Sequence, residues 1–300
     1  MLDSKKIGLG LLLIFLNQFY VWGSEADITK AIIFSTVLPG GGHLYLKEYK
    51  DFSFYLSGEL ALALFGRQIK NKLEENEQNI FYLHAYKLHE LNIFSAYRKA
   101  RILSKNKDYS FPMDTTPLTK LYSSPFHLTN LKDKYVWGFA MAGAVLNAIE
   151  GYLNKERKNY DKISSVKIIG KNYNRNDGFF IYQGLWIPIS LNSAVSEECV
   201  WRGLVQSEWE RFIGRKAGLL VSSAFFGFSH VYRPTETKYW IYGVEATLAG
   251  IYLGWVYQRN NYQLEKPIAA HFWFNVLGGT ALFLIDPESN PLGIKVNFGF

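Results

Sequence analysis

Glu197, Glu198 and Arg202, then Phe226 and His230, then His271 and Asn275 are the residues of this chain best equipped for chemistry. They follow one another within about eighty residues, inside apolar segments. Arg202 stands four residues after Glu198, His230 four after Phe226, and Asn275 four after His271. That spacing puts each pair on one face of a helix. Carboxylates, guanidinium and imidazoles are costly in a bilayer, so their presence in such segments points to a functional site. Hydrolysis by an activated water requires a base to take a proton from that water and donors to steady the oxyanion. A Glu, two His and an Asn supply both.

Two adjacent carboxylates do not share a helix face, so Glu197 and Glu198 should have different tasks. Glu198 and Arg202 suit an ion pair that orients the helix. Glu197 then faces a cavity, and a carboxylate shielded from water is a stronger base than an exposed one. Phe226 packs its helix and turns His230 inward. His271 and Asn275 can donate hydrogen bonds to a tetrahedral oxyanion. Trp201, Trp273 and Phe274 would shape an apolar cleft. Glu197, His230 and His271 also make up a zinc set of two imidazoles and a carboxylate. HExxH is absent, however, and Asn is a poor zinc ligand. A reaction without cofactor is therefore the favoured reading, with zinc as its alternative.

The three pieces read EECVWR (Glu197–Arg202), FGFSH (Phe226–His230) and HFWFN (His271–Asn275). Together they resemble the EExxxR, FxxxH and HxxxN/D signature of the CPBP family of intramembrane proteases, which includes the CAAX prenyl proteases and the bacterial Abi proteins. The Trp201-Arg202-Gly203 continuation is similar too. The resemblance covers roughly residues 179–285 and says nothing specific about residues 1–130. It implies an endopeptidase acting on a membrane-associated protein or peptide. It also implies that the first glutamate is catalytic and that His230 holds the water with it. Both metal-dependent and metal-free glutamate mechanisms have been attached to the family. Bacterial members are also linked to bacteriocin immunity, so a non-catalytic immunity or scaffold membrane protein is the alternative of a different class. A metal-ion transporter using His230 and His271 is a third.

The elements that must position these residues are apolar stretches. Segments 135–153, 179–196, 217–232, 239–257 and 267–285 each approach the length needed to span a bilayer core. Two shorter stretches, Ala31–Leu38 and Phe52–Phe65, flank Pro39-Gly40-Gly41-Gly42-His43. Pro and three Gly predict a tight interhelical turn rather than a phosphate cradle, since no Walker lysine follows. His43 is expected at an interface. Lys5-Lys6 before the apolar run Ile7–Leu16 predict a signal peptide or a first membrane helix. Residues 67–108 alternate apolar and charged positions at near-helical spacing, which predicts an amphipathic helix or helix pair with surface His84 and His89. Its C-terminal part is loaded with Arg98, Lys99, Arg101, Lys105 and Lys107.

The expected fold is therefore an all-α, multi-pass transmembrane helical bundle of about seven or eight segments with an amphipathic helical insert. The expected division is 1–23 as signal peptide or first helix, 24–66 as a membrane hairpin, 67–130 as insert and linker, and 131–300 as the protease bundle. Apolar residues make up 48% of the chain and aromatics 17%, yet mean hydropathy is only -0.06, because polar sections dilute the apolar runs. The net charge of +7 is scattered, which argues against a nucleic-acid partner and for anionic lipid around the loops. Loop Lys155–Asp177 holds seven Lys or Arg against three acids and is expected on the cytoplasmic side of a bacterial inner membrane. The single cysteine, Cys199, excludes an intramolecular disulfide and is expected to be a packing residue.

Overall fold

The computed structural model describes residues 25–68, 75–104, 111–155, 157–168 and 170–298. The expected signal peptide or first helix lies outside the described residues, as do Lys105 and Lys107. The chain is mostly helical. It runs through α1 (Glu25–Val37), α2 (Gly41–Tyr45), α3 (Tyr49–Gln68), α4 (Glu75–Leu103), α5 (Leu118–Ser123), α6 (Leu128–Leu131) and α7 (Lys134–Leu153). It continues through β1 (Ile163–Ile168), β2 (Lys171–Asn174), α8 (Arg175–Glu198) and a π-helical stretch, Cys199–Gln206. Then come α9 (Ser207–Ile213), α10 (Arg215–Ser229), α11 (Thr237–Arg259), α12 (Glu265–Ile285) and β3 (Lys295–Phe298). Two compact units are distinguished. The first comprises the described residues of Met1–Ser57, Leu88–Pro117 and Ser196–Pro267. The second comprises those of Gly58–Lys87, Leu118–Val195 and Ile268–Phe300.

In the first unit, the Pro-Gly segment is a tight turn between α1 and α2. Gly40 has a φ of 75°, a region that glycine enters without strain. Its N–H donates to Asn92 Oδ1 at 3.0 Å, and the Gly42 N–H donates to Ser35 Oγ at 3.1 Å. These amides are engaged by α1 and α4, so the segment is a turn and not an anion cradle. A Cβ on Gly42 would sit 2.1 Å from the Ala31 carbonyl oxygen, so only glycine lets α2 approach α1 this closely. The tight turn also directs His43 inward. It is fully buried and stacks on Tyr55 at 5.2 Å, where an interfacial position was expected.

α4 is one continuous helix of 29 residues. Neither of its histidines is a plain surface group, as had been expected. His84 is half-buried, with Nδ1 accepting from Asn192 Nδ2 at 3.0 Å, and burial lowers its pKa below the ordinary imidazole value. His89 Nε2 donates to the Thr36 carbonyl at 3.1 Å.

In the second unit, the expectation of an all-α chain needs correction. β1 pairs antiparallel with β2 (Val166 opposite Tyr173) and with β3 (Val166 opposite Val296), giving a three-stranded sheet. Ile163, Val166 and Ile168 form its buried face, packed with Tyr182 and Ile189 of α8 and Phe283 of α12. Tyr182 and Phe283 stack at 4.2 Å. α7 and α12 meet through small residues: a Cβ on Gly143 would lie 2.6 Å from the Phe274 ring, and one on Gly278 would lie 2.8 Å from Asn147 Nδ2. Close approach at small residues is a packing mode of membrane helices.

Among the described residues, two helices are long and apolar enough to cross a membrane: α7, with mean hydropathy 1.2, and α12, with 1.6. The other expected spans carry polar loads or are short. α8 contains Arg175, Asp177, Glu197 and Glu198, α11 contains Lys238, Glu245 and Arg259, and α10 has 15 residues.

Candidate active site

The first motif sits where α8 gives way to the π-helix. Here the backbone repeat widens, and Ser207 Oγ donates to the Arg202 carbonyl five residues back at 2.9 Å. Such insertions in helices are frequently found at functional sites. Glu198 is 0% exposed and Arg202 2%, with Nε 3.1 Å from Oε2. The approach is misaligned for a hydrogen bond, so charge holds the pair. The Arg202 guanidinium also lies over the Phe226 ring at 4.6 Å, and Nη2 makes a long bond of 3.5 Å to the Gly250 carbonyl. Glu197 is only half-buried. The two neighbouring carboxylates thus occupy different surroundings, as their offset around the helix requires. Cys199 is buried in packing, as expected.

Phe226 links the first motif to the second. It is 3% exposed and meets Trp201 edge-on at 5.5 Å and His230 edge-on at 4.6 Å, besides carrying Arg202. His230 closes the C-terminal end of α10, its N–H bonded to the Gly227 carbonyl at 3.0 Å. Its Nδ1 lies 2.8 Å from the Phe226 carbonyl oxygen. A carbonyl only accepts, so this contact assigns the proton to Nδ1 and, in the neutral ring, the lone pair to Nε2.

The third motif belongs to the second unit. His271 is buried and Asn275 half-buried on α12. Trp186 of α8 donates its indole N–H to the Asn275 carbonyl at 3.0 Å. Gly279 permits this, since a Cβ there would fall 2.3 Å from the same indole nitrogen. Among the described residues, the side-chain amide of Asn275 makes no hydrogen bond. Trp273 donates to the Pro125 carbonyl at 3.0 Å and packs on Trp137, and Phe274 stacks on Phe139 at 4.6 Å. These two aromatics, read from the sequence as cleft residues, pack within the second unit.

The structure therefore brings together Glu198, Trp201, Arg202, Phe226 and His230 in the first unit. Glu197 lies in that unit as well, while His271, Trp273, Phe274 and Asn275 lie in the second. Among the described residues, no group of three or more His, Cys, Asp or Glu is arranged to hold a metal ion.

Residues 180–277, which contain all three motifs, match the family described as Type II CAAX prenyl endopeptidase Rce1-like. This stretch is an Rce1-like domain of the CPBP family. No curated protein and no solved structure matched the chain. Membership places the domain among membrane endopeptidases.

Several residues that pack around the first motif are silent in the motifs. Gly250 and Gly254 of α11 present carbonyls to Arg202 and to Gln206 (3.1 Å). Their spacing, with Gly243 before them, forms a small-residue stripe, the kind of signal by which a packing face can be found in a sequence. Asp114 accepts from the Thr116 N–H at 2.6 Å and the Leu264 N–H at 2.5 Å, tying residues just before α12 to the segment after α4. Phe94 of α4 covers Gly203, where a Cβ would lie 2.5 Å from the ring. Overpacking of this kind costs about 1–3 kcal/mol. Gly203→Ala is therefore expected to lower the thermal midpoint in detergent, and Phe94→Leu in the same chain to restore part of it; an unshifted midpoint for Gly203→Ala would refute the contact.

Proposed function

We propose that this chain is a multi-pass membrane endopeptidase that cleaves a membrane-associated protein or peptide with a water activated by Glu197. The reading rests above all on the different surroundings of the two adjacent glutamates. Glu198 pairs with Arg202 in the protein interior, whereas Glu197 is half-buried one position around the helix, the more accessible of the two carboxylates. Glu197 takes a proton from water as the oxygen bonds to the scissile carbonyl carbon. His230, with its proton on Nδ1, accepts from that water through Nε2 and aligns it. His271 and Asn275 donate to the oxyanion as the carbonyl π-bond opens. Collapse of the tetrahedral intermediate breaks the C–N bond, and the proton held by Glu197 passes to the departing amine. The apolar surfaces left exposed on α7 (Met141, Val145, Ile149) and α11 (Trp240, Val244, Leu248) support a lipid environment.

Proteomics of membrane peptides from cells expressing wild type or Glu197→Gln tests the reading and identifies the substrate. Peptides should accumulate uncleaved with the variant; identical peptide sets would overturn it. Metal analysis of the purified active protein separates this reading from a zinc enzyme or a transporter. Asn275→Ala should lower turnover by on the order of 100-fold with little change in unfolding temperature, as expected of a half-buried amide that acts as an oxyanion donor. Equal loss of stability and turnover would instead assign Asn275 to packing.

A further inference from the structure

We propose that the basic pocket at the C-terminal end of α7 binds the phosphate of an anionic lipid headgroup. The pocket has a volume of about 360 Å³ and lies in the second unit, immediately after the apolar helix ends at Leu153. Lys155, Arg157, Lys158 and Lys162 line it, together with Asn159. Four cations converge on one concavity within eight positions of the chain, and among the described residues no carboxylate lines it.

The cations are prepared to different degrees. Arg157 lies over the Tyr152 ring, its Cζ 3.9 Å from the centroid, and donates to the Tyr152 carbonyl at 2.9 Å. Its planar fork is thereby oriented before a ligand arrives, which suits two-point recognition of phosphate oxygens. Lys158 is 3.4 Å from Glu288, with both side chains nearly half exposed, and rests over the Phe298 ring at 4.6 Å. A phosphate can replace that exposed carboxylate. Among the described residues, Lys155 and Lys162 form no ion pair, and both are exposed. Basic side chains beyond a helix C-terminus also favour the helix dipole, but that effect falls off within a turn. It accounts for Lys155 and not for Lys162.

The pocket's position decides the ligand's source. α7 is one of the two described helices long and apolar enough to cross a membrane, and in such a span its end would lie at headgroup depth. The lipid assignment rests on that span, and free phosphate is the competing source of the same chemistry. The test uses the full-length protein in neutral detergent, titrated with short-chain phosphatidylglycerol, short-chain phosphatidylcholine and inorganic phosphate. Wild type should bind phosphatidylglycerol in preference to both others. Each cation near an anionic lipid contributes about fivefold in affinity, so Lys155→Gln with Lys162→Gln should weaken binding on the order of 20-fold. Lys132→Gln with Lys134→Gln removes equal charge at the other end of α7 and should leave binding unchanged. Equal loss in both double variants would reduce the effect to net charge and overturn the pocket. Inorganic phosphate binding as tightly as phosphatidylglycerol would overturn the lipid assignment.

Discussion

Glu197→Gln should reduce cleavage of a reconstituted membrane peptide by about 10²- to 10⁴-fold, the usual worth of a positioned general base, while the protein folds as before. The amide keeps the size and shape of the carboxylate, so packing is preserved. Glu197 is half-buried, and the neighbouring Glu198 holds the ion pair with Arg202, so the substitution leaves that buried pair intact. What disappears is the group that accepts the proton from water. The drop should fall on the chemical step, read in single-turnover cleavage in proteoliposomes. Thermal unfolding in detergent should remain within about 0.5 kcal/mol of wild type, as expected for an isosteric change at a half-buried position. Near-normal turnover in Glu197→Gln would remove the base from the mechanism. A matched loss of folded protein would assign Glu197 to structure.

The motif residues were legible because four-residue spacing on a helix is a short-range property, written directly in the sequence. The Glu198–Arg202 pair follows from that spacing, and so does its separation from Glu197. The π-helix does not, since a widened backbone repeat leaves the residue spacing unchanged. Phe226 could be read as packing its own helix, but its contacts with Arg202 and Trp201 come from tertiary structure. The Trp186 bond to the Asn275 carbonyl joins residues far apart in sequence and uses a backbone acceptor that every residue carries. The sheet was hidden for similar reasons. β1 alternates over only six residues inside a basic loop, and its partner β3 comes from the other end of the second unit's sequence. Helix boundaries and the turn at Gly40 were clearer, because apolar runs and glycine act locally.

Arg202→Ala should cost about 3–5 kcal/mol of stability, the range for breaking a buried ion pair from one side. Glu198 is 0% exposed, so without the guanidinium its charge is stranded in the interior. The same change removes the cation from the face of Phe226, whose edge supports His230, and activity should fall along with folded yield. Arg202→Lys should recover little, since an ammonium lacks the flat surface that covers Phe226 while reaching toward the Gly250 carbonyl. The decisive comparison is the double variant Glu198→Leu with Arg202→Met. Replacing both charges by apolar groups leaves neither stranded, and such exchanges are often neutral or stabilising. If Arg202 acts only by fixing the helix, the double variant should regain the thermal midpoint and much of the turnover. If it regains stability but remains inactive, or if Arg202→Ala is as stable as wild type yet dead, the guanidinium belongs with Glu197 and His230 in the reacting set.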